Sequence, residues 1–218
     1  VGGRMGDIYG VGLLRNDEGK VVYKGGVPVF TSNTIRLGNY NPDWIGGLKN
    51  SFRYKNWMLS ALVDGKFGGK IYSFTYVTGT EAGSLANTLP GREEGIIGDG
   101  VVLNPDGTYS PNTERVAAYT YYRGYYKRPN VESSTFDATY AKLREVMLGY
   151  NLPAKFLTNK WIQSAQINLV GRNLLLFTKV PNIDPETSFV SGGTVVPGIE
   201  NAQIPSTRSW GIDIKLNF

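Results

Sequence analysis

Residues 208–218, RSWGIDIKLNF, alternate apolar and polar side chains without a break, a period that fits a strand and no helix. Successive side chains on a strand point to opposite faces, so Trp210, Ile212, Ile214, Leu216 and Phe218 share one face and Gly211, Asp213, Lys215 and Asn217 the other. The same period recurs upstream. In LKNSFRY, Leu48, Asn50, Phe52 and Tyr54 oppose Lys49, Ser51 and Arg53. After Lys55-Asn56 the chain returns as WMLSALVDGKFGG, with Trp57, Leu59, Ala61, Val63 and Phe67 opposite Met58, Ser60, Leu62, Asp64 and Lys66. That spacing predicts a hairpin with one apolar and one mostly polar face. In WIQSAQINLVGR, Ala165, Ile167, Leu169 and Gly171 oppose Gln166, Asn168, Val170 and Arg172. Residues 139–152, TYAKLREVMLGYNL, change parity between Leu143 and Val146, which a β-bulge near Arg144 to Val146 would reconcile. Six strands are predicted, near 4–14, 44–54, 57–76, 137–152, 161–177 and 206–218, the Gly-rich first carrying the weakest pattern.

Composition agrees with a strand-and-turn protein: 14 Tyr and 28 Gly against 3 Met. The chain has no Cys and no His, which removes thiol chemistry, disulfides, histidine metal ligands and the commonest general base. No enzyme activity and no cofactor are expected. The net charge of +5 is spread singly along strands and turns rather than clustered, so no nucleic-acid partner is expected. No run of 18 apolar residues marks a membrane-spanning helix. The opening VGGRMGDIYG shows neither an initiator Met nor a signal peptide, and a piece of a longer protein is expected.

An alternating apolar face fits two architectures. One is a non-enzymatic, glycan-binding β-sandwich of the cell surface, its apolar face packed on a second sheet. The other is an antiparallel transmembrane barrel, and three features favour it. Several predicted strands reach 12 residues or more, where a tilted membrane strand needs about 9–11. Aromatics stand at strand ends, as in interfacial girdles: Trp44 and Tyr54, Trp57 and Tyr72, Tyr140 and Tyr150, Trp161 and Phe177, Trp210 and Phe218. Connections alternate between short (55–56, 153–160) and long (15–43, 77–136, 178–205), matching periplasmic turns and extracellular loops. The last strand then runs toward the periplasm, with Phe218 in its girdle.

LGNYNPDWIGGLKNSFRYKNWMLSALVDGKFGGKIYS (37–73), FDATYAKLREVMLGYNLP (136–153), GRNLLLFTKVPNIDPETS (171–188) and the closing strand together resemble the C-terminal barrel portion of the SusC/RagA family of TonB-dependent outer-membrane transporters. The resemblance spans nearly the whole chain. It implies an all-β fold in which these six C-terminal strands belong to a barrel of about 22 strands with an N-terminal plug. It also implies import of glycans or peptides beneath a SusD-like surface lipoprotein lid, driven by TonB through an N-terminal region absent here. Plug, TonB box and earlier strands are missing from the sequence, so residues 1–218 are read as one C-terminal barrel part. From the same resemblance Phe218 is expected to act as an assembly signal in the outer-membrane lipid. Relatives often carry an acidic calcium-type loop after the first strand, whereas RNDEGK (15–20) reads as a plain turn without metal.

The remaining motifs have plain readings. Asp184 and Glu186 in NIDPETS form a loop turn fixed by Pro185, Arg92-Glu93-Glu94 a solvated run, and GDGVVLNPDGTY (98–109) a small hairpin. The glycines of GKFGGK suit a bending strand. Lys49, Arg53, Asp64, Lys66, Arg172, Asp213 and Lys215 are expected to face the barrel lumen, because charge is expelled from the lipid face. The loop 77–136 holds six of the 14 tyrosines. Tyr121, Tyr122, Tyr125 and Tyr126 are the candidate extracellular contacts to substrate or lid, against the alternative that they only pack the loop.

Overall fold

The hairpin predicted around Lys55-Asn56 is the first paired element of the main sheet in the computed structural model, which describes residues 2–157 and 161–218. Strand β1 (Trp44–Tyr54) turns through Lys55, at φ 52°, into β2 (Trp57–Phe67), and Tyr54 pairs directly with Trp57. Three more strands follow: β3 (Tyr140–Asn151), β4 (Ser164–Thr178) and β5 (Ser209–Asn217). Each pairs antiparallel with its neighbour in sequence, so the sheet is an up-and-down meander ordered β1-β2-β3-β4-β5. With the stretch 42–68 and the flanks of the other strands it forms one unit of the chain.

Register sorts the side chains as the alternation requires, because residues directly opposite in an antiparallel ladder share a face. One face carries the rows Trp57–Tyr150–Ile167–Ile214 and Leu59–Leu148–Leu169–Ile212. The opposite face carries Asp64, Ser60, Lys142, Glu145, Arg172, Asn168 and Asp213. Between Leu143 and Glu145 the register shifts against both neighbours, which places the expected bulge at Arg144 and restores a single apolar face along β3.

Burial in this unit is inverted. Ile212, Ile214, Leu59 and Val63 on the apolar face are 72, 61, 44 and 43% exposed, whereas Ser60, Lys142 and Asn168 on the polar face are 4, 2 and 0% exposed. A sandwich would bury the first set. Two aromatic contacts bracket the apolar band: Trp57 with Tyr150 at 4.7 Å and Trp44 with Phe67 at 5.5 Å between ring centroids. The ten steps from Trp57 to Phe67 span about 33 Å along the strand, or about 25 Å along a barrel axis at a tilt of about 40°, the height of a transmembrane apolar band. The Trp44 ring lies across Gly46 and the Trp210 ring across Gly171, covering backbone that a glycine leaves bare.

The predicted first strand is not part of this sheet. Asp7–Gly10 pairs instead with Ile35–Asn39 in a separate two-stranded sheet, so five membrane-length strands are found among the described residues where six were expected. Its glycines weaken a long strand, and Asp7 is held locally by Arg36 and Asn39, each at 2.9 Å. The strand expected over 57–76 also stops early. Gly68 and Gly69 adopt φ of 75° and 81°, a conformation that costs glycine nothing, and the chain leaves the sheet there. Tyr72 consequently lies in Lys70–Ser73, which pairs with Thr135–Asp137 and not with the girdle. Residues 158–160 of the expected short turn lie outside the described residues.

A second unit combines Val1–Asn41, Gly69–Asp137 and Val180–Ile204. It contains short sheets and two helices, α1 (Phe74–Glu81) and α2 (Ala118–Tyr125), around Val22, Tyr23, Ile71, Tyr76, Val77 and Val101, all buried. The long connections therefore build a core of their own. The segment 98–109 does form a hairpin, with Val101–Leu103 paired to Tyr109–Pro111, and RNDEGK closes as a turn through Asn16 and Lys20. Glu200, 1% exposed, accepts from Ser73 Oγ at 2.7 Å and Thr75 Oγ1 at 2.5 Å, fastening the 180–204 segment to the N-terminus of α1.

Candidate functional site

Helix α2 concentrates the tyrosines singled out in the sequence. Residues four apart share a helix face, so Tyr121 stacks on Tyr125 at 5.7 Å and Tyr122 on Tyr126 at 6.4 Å. Edge contacts tie the two stacks together, Tyr121 to Tyr122 at 5.5 Å, and Tyr76 extends the cluster from Tyr126 at 5.6 Å to Phe136 at 4.9 Å. All four named tyrosines are half-buried. Burial pushes the hydroxyls of Tyr121 and Tyr126 well up, Tyr121 also through the adjacent Tyr23 and Tyr126 through Tyr76, and those of Tyr76 and Tyr125 up as well. They are neutral donors throughout the physiological range. Much of this cluster packs the loop unit against itself; Tyr109 sits apart in its hairpin and Tyr119 is 63% exposed.

Beside the cluster, α1 and α2 border a pocket of about 410 Å³ whose walls include Thr80, Glu81, Thr88, Arg92, Tyr119 and Tyr122. Arg92, Glu93 and Glu94 are exposed, as the solvated reading has it, and Arg92 also clasps nearby backbone. Its Nε donates to Thr88 O at 3.0 Å, and its Nη2 to Gly83 O at 2.6 Å and Thr88 Oγ1 at 3.0 Å. No sequence spacing announces this clasp, because Gly83 and Thr88 are brought to Arg92 by a turn of irregular backbone. Tyr122 donates its hydroxyl to Pro90 O at 3.1 Å, and Arg123 lies 5.4 Å over the Tyr119 ring. Both rings are thus held in place.

On the polar face of the sheet, Arg144 grips Asp64, Arg172 meets Glu145 at 3.0 Å, and Asn168 Nδ2 donates to Asp213 at 2.8 Å. Arg144 is a further residue of this face, beyond those expected to face the lumen. Among the described residues no group of three or more acidic side chains is placed to hold a metal ion.

An inverted antiparallel sheet with a girdled apolar band is the architecture of an outer-membrane barrel, and similarity narrows it. No family model matches the chain. TonB-dependent receptor P3 of Formosa agariphila is 25% identical over 200 residues, covering 87% of this chain and 18% of the relative. TonB-dependent receptor P26 of the same organism is 25% identical over 205 residues, with the same coverage. The chain thus spans about a fifth of the length of these relatives. Among solved structures it superposes on the RagAB peptide transporter with a TM-score of 0.60 at 19% identity, over 97% of this chain and 23% of that one. It superposes on the RagAB peptide importer in its open-open state with a TM-score of 0.62, also at 19% identity, over 98% and 23%. In sequence the chain is thus similar to TonB-dependent receptors, and its fold is that of part of the RagAB transporter barrel.

Proposed function

We propose that the chain is the C-terminal barrel part of an outer-membrane transporter that imports glycans or peptides with a SusD-like surface lipoprotein as its lid. TonB would engage a region of the parent outside this chain. The reading is carried by the inverted sheet, whose exposed apolar face suits membrane lipid and suits no second sheet. That observation disfavours the alternative of a soluble glycan-binding sandwich. In the proposed topology the turn at Lys55-Asn56 is periplasmic, the long connections are extracellular, and β5 ends toward the periplasm. Tyr121, Tyr122, Tyr125 and Tyr126 are the proposed contacts to substrate or lid, and Phe218 the proposed assembly signal.

Fractionating cells that express the parent tests the reading directly: it requires detergent-dependent extraction from the outer membrane and co-purification of a lipoprotein. Recovery in a soluble fraction would overturn it. Removing Phe218 is expected to lower the amount in the outer membrane, and an unchanged level would count against its role.

A further inference from the structure

The edge of the main sheet that carries its short turns is charged in one sense. Residues 44–63, 146–171 and 214–218, which run to that edge, contain six Lys or Arg and no Asp or Glu. The acidic residues Asp64, Glu145 and Asp213 stand instead on the polar face, where Arg144, Arg172 and Asn168 hold them. The turn Lys55-Asn56 and the turn Ala154–Phe156 lie at the same edge, Asn151 at the end of β3 donating its N–H to Asn56 O at 2.8 Å. Each turn carries a lysine, and among the described residues neither Lys55 nor Lys155 is ion-paired. Each ammonium rests on an aromatic ring: Lys55 Nζ lies 5.4 Å from the centre of the Tyr54 ring, and Lys155 Nζ 5.1 Å from that of Phe156. Both rings are exposed, and Tyr54 pairs with Trp57, whose ring meets Tyr150 on the apolar face. Lysines at the rim of an aromatic belt are placed to reach lipid phosphates while their stems stay on apolar surface. With no carboxylate on it, each ammonium has donors to give to phosphate oxygens.

We propose that this edge binds anionic phospholipid, with lipid phosphates on Lys55 and on Lys155 and the acyl chains along the apolar face. A zwitterionic headgroup would bring a cation of its own to an edge that has no acidic side chain to receive it, whereas an anionic one brings the phosphate alone. The proposal rests on the reading that the apolar face meets membrane lipid, and it names the class of lipid at one rim. In the topology proposed above, that rim is the periplasmic one.

The test places the parent in phosphatidylcholine vesicles with a trace of phosphatidylglycerol or of phosphatidylcholine that bears a photoreactive diazirine beside its headgroup. After irradiation, mass spectrometry locates the labelled residues. Phosphatidylglycerol should label residues 50–60 and 148–157 about fivefold more than phosphatidylcholine does, the attraction expected of one lysine at an anionic headgroup. Joint replacement Lys55→Gln and Lys155→Gln should abolish that preference. Joint replacement Lys49→Gln and Lys215→Gln, an equal change of charge on the polar face, should preserve it. Equal labelling by the two lipids overturns the proposal, as does a preference that survives loss of both turn lysines or falls equally with the polar-face pair. The two lipids are compared on the unaltered protein, so the first outcome does not depend on a variant folding. If neither lipid labels the edge, the membrane reading falls with the proposal; if both label it equally, the headgroup preference falls alone.

Discussion

Arg144 holds Asp64 through two parallel bonds, Nε to Oδ1 at 2.7 Å and Nη2 to Oδ2 at 2.9 Å, from the position where β3 carries its extra residue. The bulge and the ion pair fall at one place, since Arg144 is the residue that the register of β3 leaves unpaired against both neighbours. Replacing Arg144 with Leu leaves the Asp64 carboxylate without its fork. A loss of about 1–3 kcal/mol is expected, read as a lower temperature at which the folded parent loses its compact electrophoretic band. Asp64→Asn, which keeps one acceptor, should cost less.

The register of β5 makes a sharper prediction. Ile214 sits opposite Ile167 on the apolar face and Lys215 opposite Gln166 on the polar face. Ile214→Arg should destabilise the barrel by about 2–4 kcal/mol if the site lies near mid-membrane, whereas Lys215→Gln should leave folding nearly unchanged. Urea unfolding in lipid vesicles ranks the two, and the opposite order would mean a one-residue slip of the strand.

Packing and recognition separate within the tyrosine cluster. Tyr126 contacts Tyr76, Tyr122 and Tyr125, so Tyr126→Ala should loosen the loop unit by about 1–3 kcal/mol and expose it to protease. Tyr122 lines the pocket, and Tyr122→Phe, which forfeits only the bond to Pro90 O, should reduce ligand binding while protease resistance stays near normal. If both variants lose binding only in proportion to lost folding, the cluster is structural alone.

Alkaline pH offers an independent handle. The folded Tyr121 and Tyr126 hydroxyls titrate above the ordinary tyrosine value of about 10, chiefly through burial. A group raised on folding contributes stability that is fully present below its unfolded value and lost as pH climbs through its folded value. The loop unit should therefore open above about pH 10, with a delayed rise in tyrosinate absorbance near 295 nm. Tyr126→Phe should shift that opening to higher pH.

Glu200 supplies the last prediction. Glu200→Leu would remove the acceptor of the buried Ser73 hydroxyl and the half-buried Thr75 hydroxyl at the start of α1, a cost of about 1–3 kcal/mol, and hydrogen exchange at Ile199 and Tyr72 should quicken. Unchanged exchange at both amides would show that the parallel pairing there stands without the carboxylate.

Strands with period-2 alternation were legible residue by residue: 44–54 was expected and Trp44–Tyr54 is found. The bulge was legible too, because two incompatible parities within TYAKLREVMLGYNL admit few other solutions. What the sequence concealed has a common physical cause. Elements of the loop unit are two to five residues long or short helices, held by distant partners such as Glu132 with Arg15 and Leu13, and no local period encodes such pairings. The weak, Gly-rich pattern of 4–14 is satisfied by any strand, and its Asp7–Gly10 pairs with Ile35–Asn39 outside the main sheet. The tyrosines were visible as a cluster in sequence, whereas the pocket beside them needed α1 and α2 to be seen together.

The loop unit draws on three stretches of chain separated by strands of the sheet. Its design therefore resists piecemeal change: substituting one long connection from a relative would remove part of a shared interior, for instance the Glu132 that accepts from Leu13 N. Variation in what such a transporter recognises would have to arise either by point changes at exposed positions such as Tyr119 or by exchange of all three stretches together. Recombination breakpoints between related genes should accordingly fall outside the whole set and seldom within it.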